Sequence, residues 1–209
     1  MRAIETVNES IRPDRMSLSD LARKHAKGFL DPIGSWLNGL GIPPNTVTLL
    51  GLAGHIVSAY FLSRGQVQLG GLIILFMAPV DALDGTMARL RGDPSDWGAF
   101  VDSVVDRYSE LFLFGGMLYF FYTQENWLGA ALAYLTAAGS ILVSYVRARA
   151  QALGFDVQVG ILTRLERYLI LVPALVLNQP VIGLGILAAG TQITALQRIF
   201  AMRRQAHAQ

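Results

Sequence analysis

The sequence predicts an all-α, polytopic integral membrane bundle of six transmembrane helices with an N-terminal amphipathic juxtamembrane helix. Three observations predict it. The 209 residues are 53% hydrophobic and only 15% charged, and the mean hydropathy is +0.42, a membrane composition in a chain too short for several domains plus a bundle. Six apolar segments follow one another, each near the roughly 20 residues a helix needs to span hydrocarbon. The connections between them are short, which makes neighbouring helices antiparallel.

In chain order, residues 1–16 are polar and are expected outside the bilayer. They lack an apolar core and a small-residue cleavage site, so they do not read as a signal peptide. Residues 17–40 carry Leu18, Leu21, Ala22, Phe29, Ile33, Trp36, Leu37 and Leu40 at helical spacing, opposite Arg23, Lys24 and Lys27. Ser17 and Asp20 suit a capped start, and the pattern predicts a helix on the membrane surface, bent at Pro32. Pro43-Pro44 then breaks the chain. Residues 1–42 therefore form a cytoplasmic segment with its juxtamembrane helix, and 43–209 the membrane domain. Its spans are expected at about 46–63, 69–90, 98–121, 127–150, 160–177 and 181–202, the fifth kinked at Pro173. Tyr119, Phe120, Phe121, Tyr122 and Trp127 read as an aromatic belt at the outer boundary.

Fifteen of the seventeen basic residues fall on one side of this topology; Arg64 lies on the other and Arg107 within the third span. The positive-inside rule makes that side cytoplasmic and puts both termini there, in a cell membrane. With no cysteine there is no disulfide, thiolate metal site or cysteine nucleophile. A net charge of +2 points to no nucleic-acid partner. His55, alone in an apolar run, reads as a packed or hydrogen-bonded side chain rather than a ligand.

The stretch 81–106, DALDGTMARLRGDPSDWGAFVDSVVD, departs from this apolar background. Each carboxylate at membrane depth costs roughly 2.5–3.5 kcal/mol on insertion scales, so intramembrane acids face the bundle interior and mark function. Asp81 and Asp84 are three apart, Asp102 and Asp106 four apart, so each pair shares a helix face. Two antiparallel helices bring the four to one level, on the order of 10–12 Å below the cytoplasmic ends. Four carboxylates together repel unless cations or protons compensate. Hard divalent cations take oxygen ligands of this kind, and two such ions about 3.5–4 Å apart can clamp an in-line displacement at phosphorus. Gly85, Ala88 and Gly98 clear space beside the carboxylates, and Arg89 can contact a phosphate. Glu110 continues the Gly98, Asp102, Asp106 stripe by one turn, either as a partner behind the metal ligands or as the partner of an arginine such as Arg107, and is not assigned to metal.

Asp81-x-x-Asp84-Gly85-x-x-Ala88-Arg89, followed by Gly98-x-x-x-Asp102-x-x-x-Asp106, resembles the signature of the CDP-alcohol phosphotransferases at all eight positions. The resemblance runs from about residue 17 to the end. It implies transfer of a phosphatidyl-type group from a CDP-linked lipid to an alcohol, with release of CMP. Asp81, Asp84, Asp102 and Asp106 would hold two Mg²⁺, or Mn²⁺, and Asp106 would be the base that takes the acceptor proton. Gly85, Ala88 and Arg89 would line the CDP pocket, with Asn45 and Thr48 of the similar Pro44-Asn45-x-x-Thr48 entry. Homodimerisation is also implied.

For the acceptor, Ser144 and Arg147 stand three apart near the end of the fourth span. Arg164 and Arg167 open the fifth. These arginines suit either positive-inside anchoring or an anion pocket, since the guanidinium fork matches phosphate. The stretch is similar to the branch of the family that uses inositol phosphate, whether on diacylglycerol or archaeal lipid. There Ser144, Arg147 and Arg167 would grip the acceptor phosphate. That branch implies lysine where Arg147 stands and an acidic residue where Thr163 stands, which leaves glycerol phosphate or another alcohol as the alternative acceptor. A divalent-cation channel or transporter also places acids inside a bundle, but with repeats or broken midplane helices that this chain does not display.

Overall fold

The computed structural model describes residues 18–92 and 95–207, with side chains from residue 28 onward. The expected cap at Ser17, the polar residues 1–16, and the side chains of Arg23, Lys24 and Lys27 lie outside the described residues. Within them the protein is an all-α membrane bundle of seven helices: α1 (Leu18–Gly39), α2 (Pro44–Ser63), α3 (Val67–Arg91), α4 (Asp96–Thr123), α5 (Trp127–Ala152), α6 (Arg164–Val176) and α7 (Pro180–Ala206).

Local chemistry sets the ends. Proline opens α2 and α7 within the first turn, where its missing N–H costs nothing. The Ser95 hydroxyl accepts from the Gly98 N–H and caps α4. Gly92 ends α3 at φ 68°, a left-handed conformation that glycine adopts without a Cβ clash. The Asn126 side chain caps α5 through the Gly129 N–H.

The bundle core is built where α3, α4, α5, α6 and α7 meet, around Ile74, Leu113, Met117, Leu175, Leu184 and Leu187, all essentially inaccessible. Lipid-facing positions remain apolar and exposed, as in Phe76, Leu128, Tyr134 and Ile182. The juxtamembrane helix does more than lie on a surface. Leu30, Ile33 and Leu37 pack on Val80, Leu83 and Met87 of α3, while Phe29, Trp36 and Leu40 stay exposed. Asn38 Nδ2 donates to the Met87 carbonyl, and Arg91 Nε donates back to Asn38 Oδ1 at 2.7 Å. α1 is thereby tied to the C-terminal half of α3, the half that bears Asp81 and Asp84.

The expected six spans are not matched one for one. Four helices, α2, α3, α5 and α7, are long and apolar enough to cross a membrane. α4 has the length, at 28 residues, but every stretch of 18 residues in it contains Asp106, Arg107 and Glu110. The fifth span, expected over 160–177, is the 13-residue α6, about 20 Å long at 1.5 Å per residue. The chain from 155 to 163 is non-helical, and Gly160 turns it at φ 140°, a conformation that breaks a helix. Pro173 falls inside α6. In the aromatic belt, Tyr119, Tyr122 and Trp127 are exposed as expected, but Phe121 is buried in the core, where its ring covers Gly129.

Candidate active site

The polar residues of α2 form a buried stripe at helical spacing: Thr48, Gly51, His55 and Ser58. This face meets α3 and α4 and organises the aspartates. Thr48 Oγ1 donates to Asp84 Oδ2 at 2.6 Å, and the Gly85 N–H donates to Asp84 Oδ1 at 2.5 Å, so both oxygens of this buried carboxylate are held. Asp81 lies so near α2 that a Cβ on Gly51 would come 2.6 Å from its Oδ1. Asn45 reaches the α4 entry, 3.6 Å from the Cβ position of Gly98. The entry residues Asn45 and Thr48 thus adjoin the aspartate motif, Thr48 through a carboxylate.

Arg164, at the first turn of α6, enters the middle of the cluster. Its Nη2 lies 2.9 Å from Asp81 Oδ2 and its Nη1 2.7 Å from Asp106 Oδ1. Arg107 Nη1 is 3.4 Å from the other oxygen of Asp106. Asp102 is in electrostatic range of Asp81, Asp84, Asp106 and Arg164. Asp81 and Asp106 meet across the Arg164 guanidinium, and Asp84 is held beside them by Thr48 and Gly85. Against the two arginines the four aspartates leave a formal surplus of two negative charges, in an all-oxygen donor set that suits Mg²⁺ or Mn²⁺. The carboxylates are not gathered as a finished cage: among the described residues no three acidic or histidine side chains form a metal-holding group.

His55 is fully buried and behaves as the packed, hydrogen-bonded residue expected. Its Nδ1–H donates to the Gly51 carbonyl at 2.8 Å, and its Nε2 hydrogen-bonds with the Tyr168 hydroxyl at 3.1 Å. Nε2 is also 3.8 Å from Asp81 Oδ2. The Tyr168 ring lies beneath Arg164, 5.5 Å from the guanidinium carbon, a cation–π distance.

Gly85 is exposed, with only Arg89 Nη1 near its Cβ position at 3.6 Å. Ala88 is half-buried one turn beyond Asp84. Arg89 is held to Thr86 Oγ1 at 2.9 Å rather than to a carboxylate, which leaves much of its fork available beside the motif.

The acceptor candidates divide. Arg167 is buried and paired with Glu110 at 2.6 Å, with a buried Nε and Glu110 Oε2 left without partners. Glu110 is therefore the partner of Arg167, not of Arg107. Ser144 is half-buried and Arg147 exposed on α5. Arg198 of α7 donates from Nη1 to the carbonyl of Val143, beside Ser144, and from Nε to Val159. The Arg167–Glu110 pair stands one helical turn from the Arg164–Asp106 pair, three residues on along α6 and four along α4. Sequence reasoning left Tyr168 and Gly51 without a role at the site, and it offered Arg164 to an anion pocket rather than to the aspartates. The signal for Gly51 was present in the polar stripe of α2. Nothing local signalled that Arg164 would cross to α3 and α4.

Carboxylates of α3 and α4 with arginines set against them, inside a membrane bundle, suit the transfer of a phosphoryl-type group. The chain belongs to the CDP-alcohol phosphatidyltransferase family, whose model matches residues 42–201. It is 35% identical to a phosphatidylinositol phosphate synthase of Streptomyces avermitilis, over 88% of this chain and 84% of that one. It is 34% identical to an archaetidylinositol phosphate synthase of Pyrococcus horikoshii, over 88% and 95%. Among solved structures, the fold is similar to Mycobacterium tuberculosis phosphatidylinositol phosphate synthase in complex with manganese and citrate, with a TM-score of 0.78 and 28% identity, covering 83% of this chain and 88% of that one. The same enzyme with CDP-DAG bound superposes with a TM-score of 0.77 at 29% identity, covering 83% and 92%.

Proposed function

We propose that this membrane transferase moves a phosphatidyl-type group from a CDP-linked lipid to the hydroxyl of inositol phosphate and releases CMP. The observation that carries the reading is the adjacency of two sites of opposite charge. The aspartates of α3 and α4 suit a cation-assisted diphosphate, and Arg147, Arg167 and Arg198 suit an acceptor that brings its own phosphate. The synthase names of the bacterial and archaeal relatives support the same acceptor.

Asp81, Asp84, Asp102 and Asp106 would hold two divalent ions, Mg²⁺ or Mn²⁺, which supply charge neutralisation at the CDP diphosphate. Gly85, Ala88 and Arg89 line the nucleotide side, with Asn45 next to Gly98. Asp106 accepts the proton of the attacking acceptor hydroxyl. Ser144, Arg147 and Arg167 hold the acceptor phosphate, and Thr48 fixes the orientation of Asp84. The basic ends of the helices would face the cytoplasm, with both termini on that side, in a homodimer in the cell membrane.

The test is an acceptor panel with CDP-diacylglycerol, scored by CMP release in Mg²⁺ or Mn²⁺. Inositol phosphate is expected to give the highest kcat/KM. A preference for glycerol phosphate, the alternative left by Arg147 and Thr163, would overturn the acceptor. Absence of metal-dependent CMP release with every acceptor would overturn the reaction.

A further inference from the structure

We infer that Arg164 is a resident counter-cation of the aspartate cluster, which must give up Asp81 and Asp106 when divalent ions enter. The inference rests on the metal-holding role proposed for the aspartates. It adds that metal entry is an exchange against a side chain of the protein itself.

Arg164 bridges one carboxylate from each helix of the motif, Asp81 of α3 and Asp106 of α4. One guanidinium thereby ties together the two halves of the cluster and offsets their repulsion. Its two engaged oxygens, Asp81 Oδ2 and Asp106 Oδ1, point into the cluster that a divalent ion would share. A guanidinium nitrogen at 2.7–2.9 Å and an ion at about 2.0–2.1 Å cannot hold the same oxygen lone pairs. The arginine is built to remain nearby after it yields. Its side chain is one-third exposed, so it has room to move. Tyr168, one turn on, lies beneath it and is itself braced by His55. Its Nε is buried without a partner, so the group is held by its ends alone. Arg167, three residues later on the same helix, is committed to Glu110, so it does not compete for Asp81 or Asp106.

The test is Mn²⁺ binding to the full chain in detergent without substrate, read from the electron paramagnetic resonance signal of free Mn²⁺. Removing a unit charge next to the ions should tighten binding, so Arg164→Gln is expected to bind Mn²⁺ on the order of tenfold tighter. Arg164→Lys keeps the charge but cannot fork across two carboxylates, so its affinity should fall between. Melting in chelator should drop for Arg164→Gln, and added Mn²⁺ should raise it by more than in the wild type. Unchanged or weaker Mn²⁺ binding in Arg164→Gln would overturn the inference. If that variant does not fold in chelator or in Mn²⁺, wild-type affinity in Arg164→Lys overturns it. Asp102→Asn separates the two levels. If it leaves Mn²⁺ binding intact, the metal reading itself fails. If it abolishes binding while Arg164→Gln matches wild type, only the counter-cation role fails.

Discussion

The Thr48 hydroxyl donates to Asp84 Oδ2 across the α2–α3 interface at 2.6 Å, within the bundle, where neither group is exposed to water. A buried carboxylate that loses such a donor is left with an unsatisfied oxygen, at a cost of about 1–3 kcal/mol. Thr48→Val conserves shape and removes only the hydroxyl. It is expected to raise the Mg²⁺ concentration needed for half-maximal CMP release while leaving the acceptor KM within about twofold. A change in the acceptor KM alone would assign Thr48 to the wrong substrate.

Asp106 is the proposed base, and its Oδ1 is also an Arg164 partner. Asp106→Asn keeps the shape and removes the proton acceptor. General base catalysis contributes about 10²–10⁴-fold, so turnover should fall by at least about a hundredfold with CDP-lipid binding largely retained. Binding is read by tritiated CDP-diacylglycerol retention, turnover by CMP release. Near-normal turnover removes Asp106 from the base role. Stripping divalent ions with chelator should stop the wild-type reaction, and Mg²⁺ or Mn²⁺ should restore it.

Arg167 cannot be truncated innocently, because Glu110 is buried against it. Breaking one side of a buried pair costs about 3–5 kcal/mol, so Arg167→Ala is expected to lower the melting temperature. The double variant Arg167→Met with Glu110→Gln removes both charges and should recover much of that stability. If Arg167 grips the acceptor phosphate, the recovered double variant still has a strongly raised acceptor KM and a nearly normal KM for CDP-lipid. Equal increases in both would argue for a structural arginine.

Gly115 and Gly116 are adjacent on α4 and face opposite fates. A Cβ on Gly116 would overlap the Ala59 carbonyl oxygen and lie 3.1 Å from its backbone carbons, whereas nothing stands within 4 Å of one on Gly115. Gly116→Ala must push α2 and α4 apart, and overpacking of this kind costs about 1–3 kcal/mol. Thermal unfolding in detergent should show a clear loss for Gly116→Ala and little or none for Gly115→Ala. Equal shifts would mean the α2–α4 contact is looser than described.

Legibility followed range. Asp81 with Asp84, and Asp102 with Asp106, were readable because helical period alone fixes which residues three or four apart share a face. The composition predicted an all-α membrane bundle, and the resemblance carried by Asp81 to Asp106 implied the family's chemistry. His55 was readable as a packed residue because a lone histidine in an apolar helix has few other low-cost states. The short α6 was not, since its apolar residues continue the pattern of the longer spans and only the backbone at 155–163 interrupts it.

The partners across helices were decided by tertiary structure alone. Arg164 meets Asp81 from 83 residues away, and Arg167 chooses Glu110 from 57 away. In the sequence both arginines suit either cytoplasmic anchoring or an anion pocket, and neither carboxylate partner is legible, because charge and spacing say nothing of helix rotation. Rotation and register are set by packing such as Gly116 on Ala59 and Gly51 on Asp81. A turn of one helix by a single residue, about 100°, would carry Arg164 away from the aspartates and leave the sequence pattern unchanged.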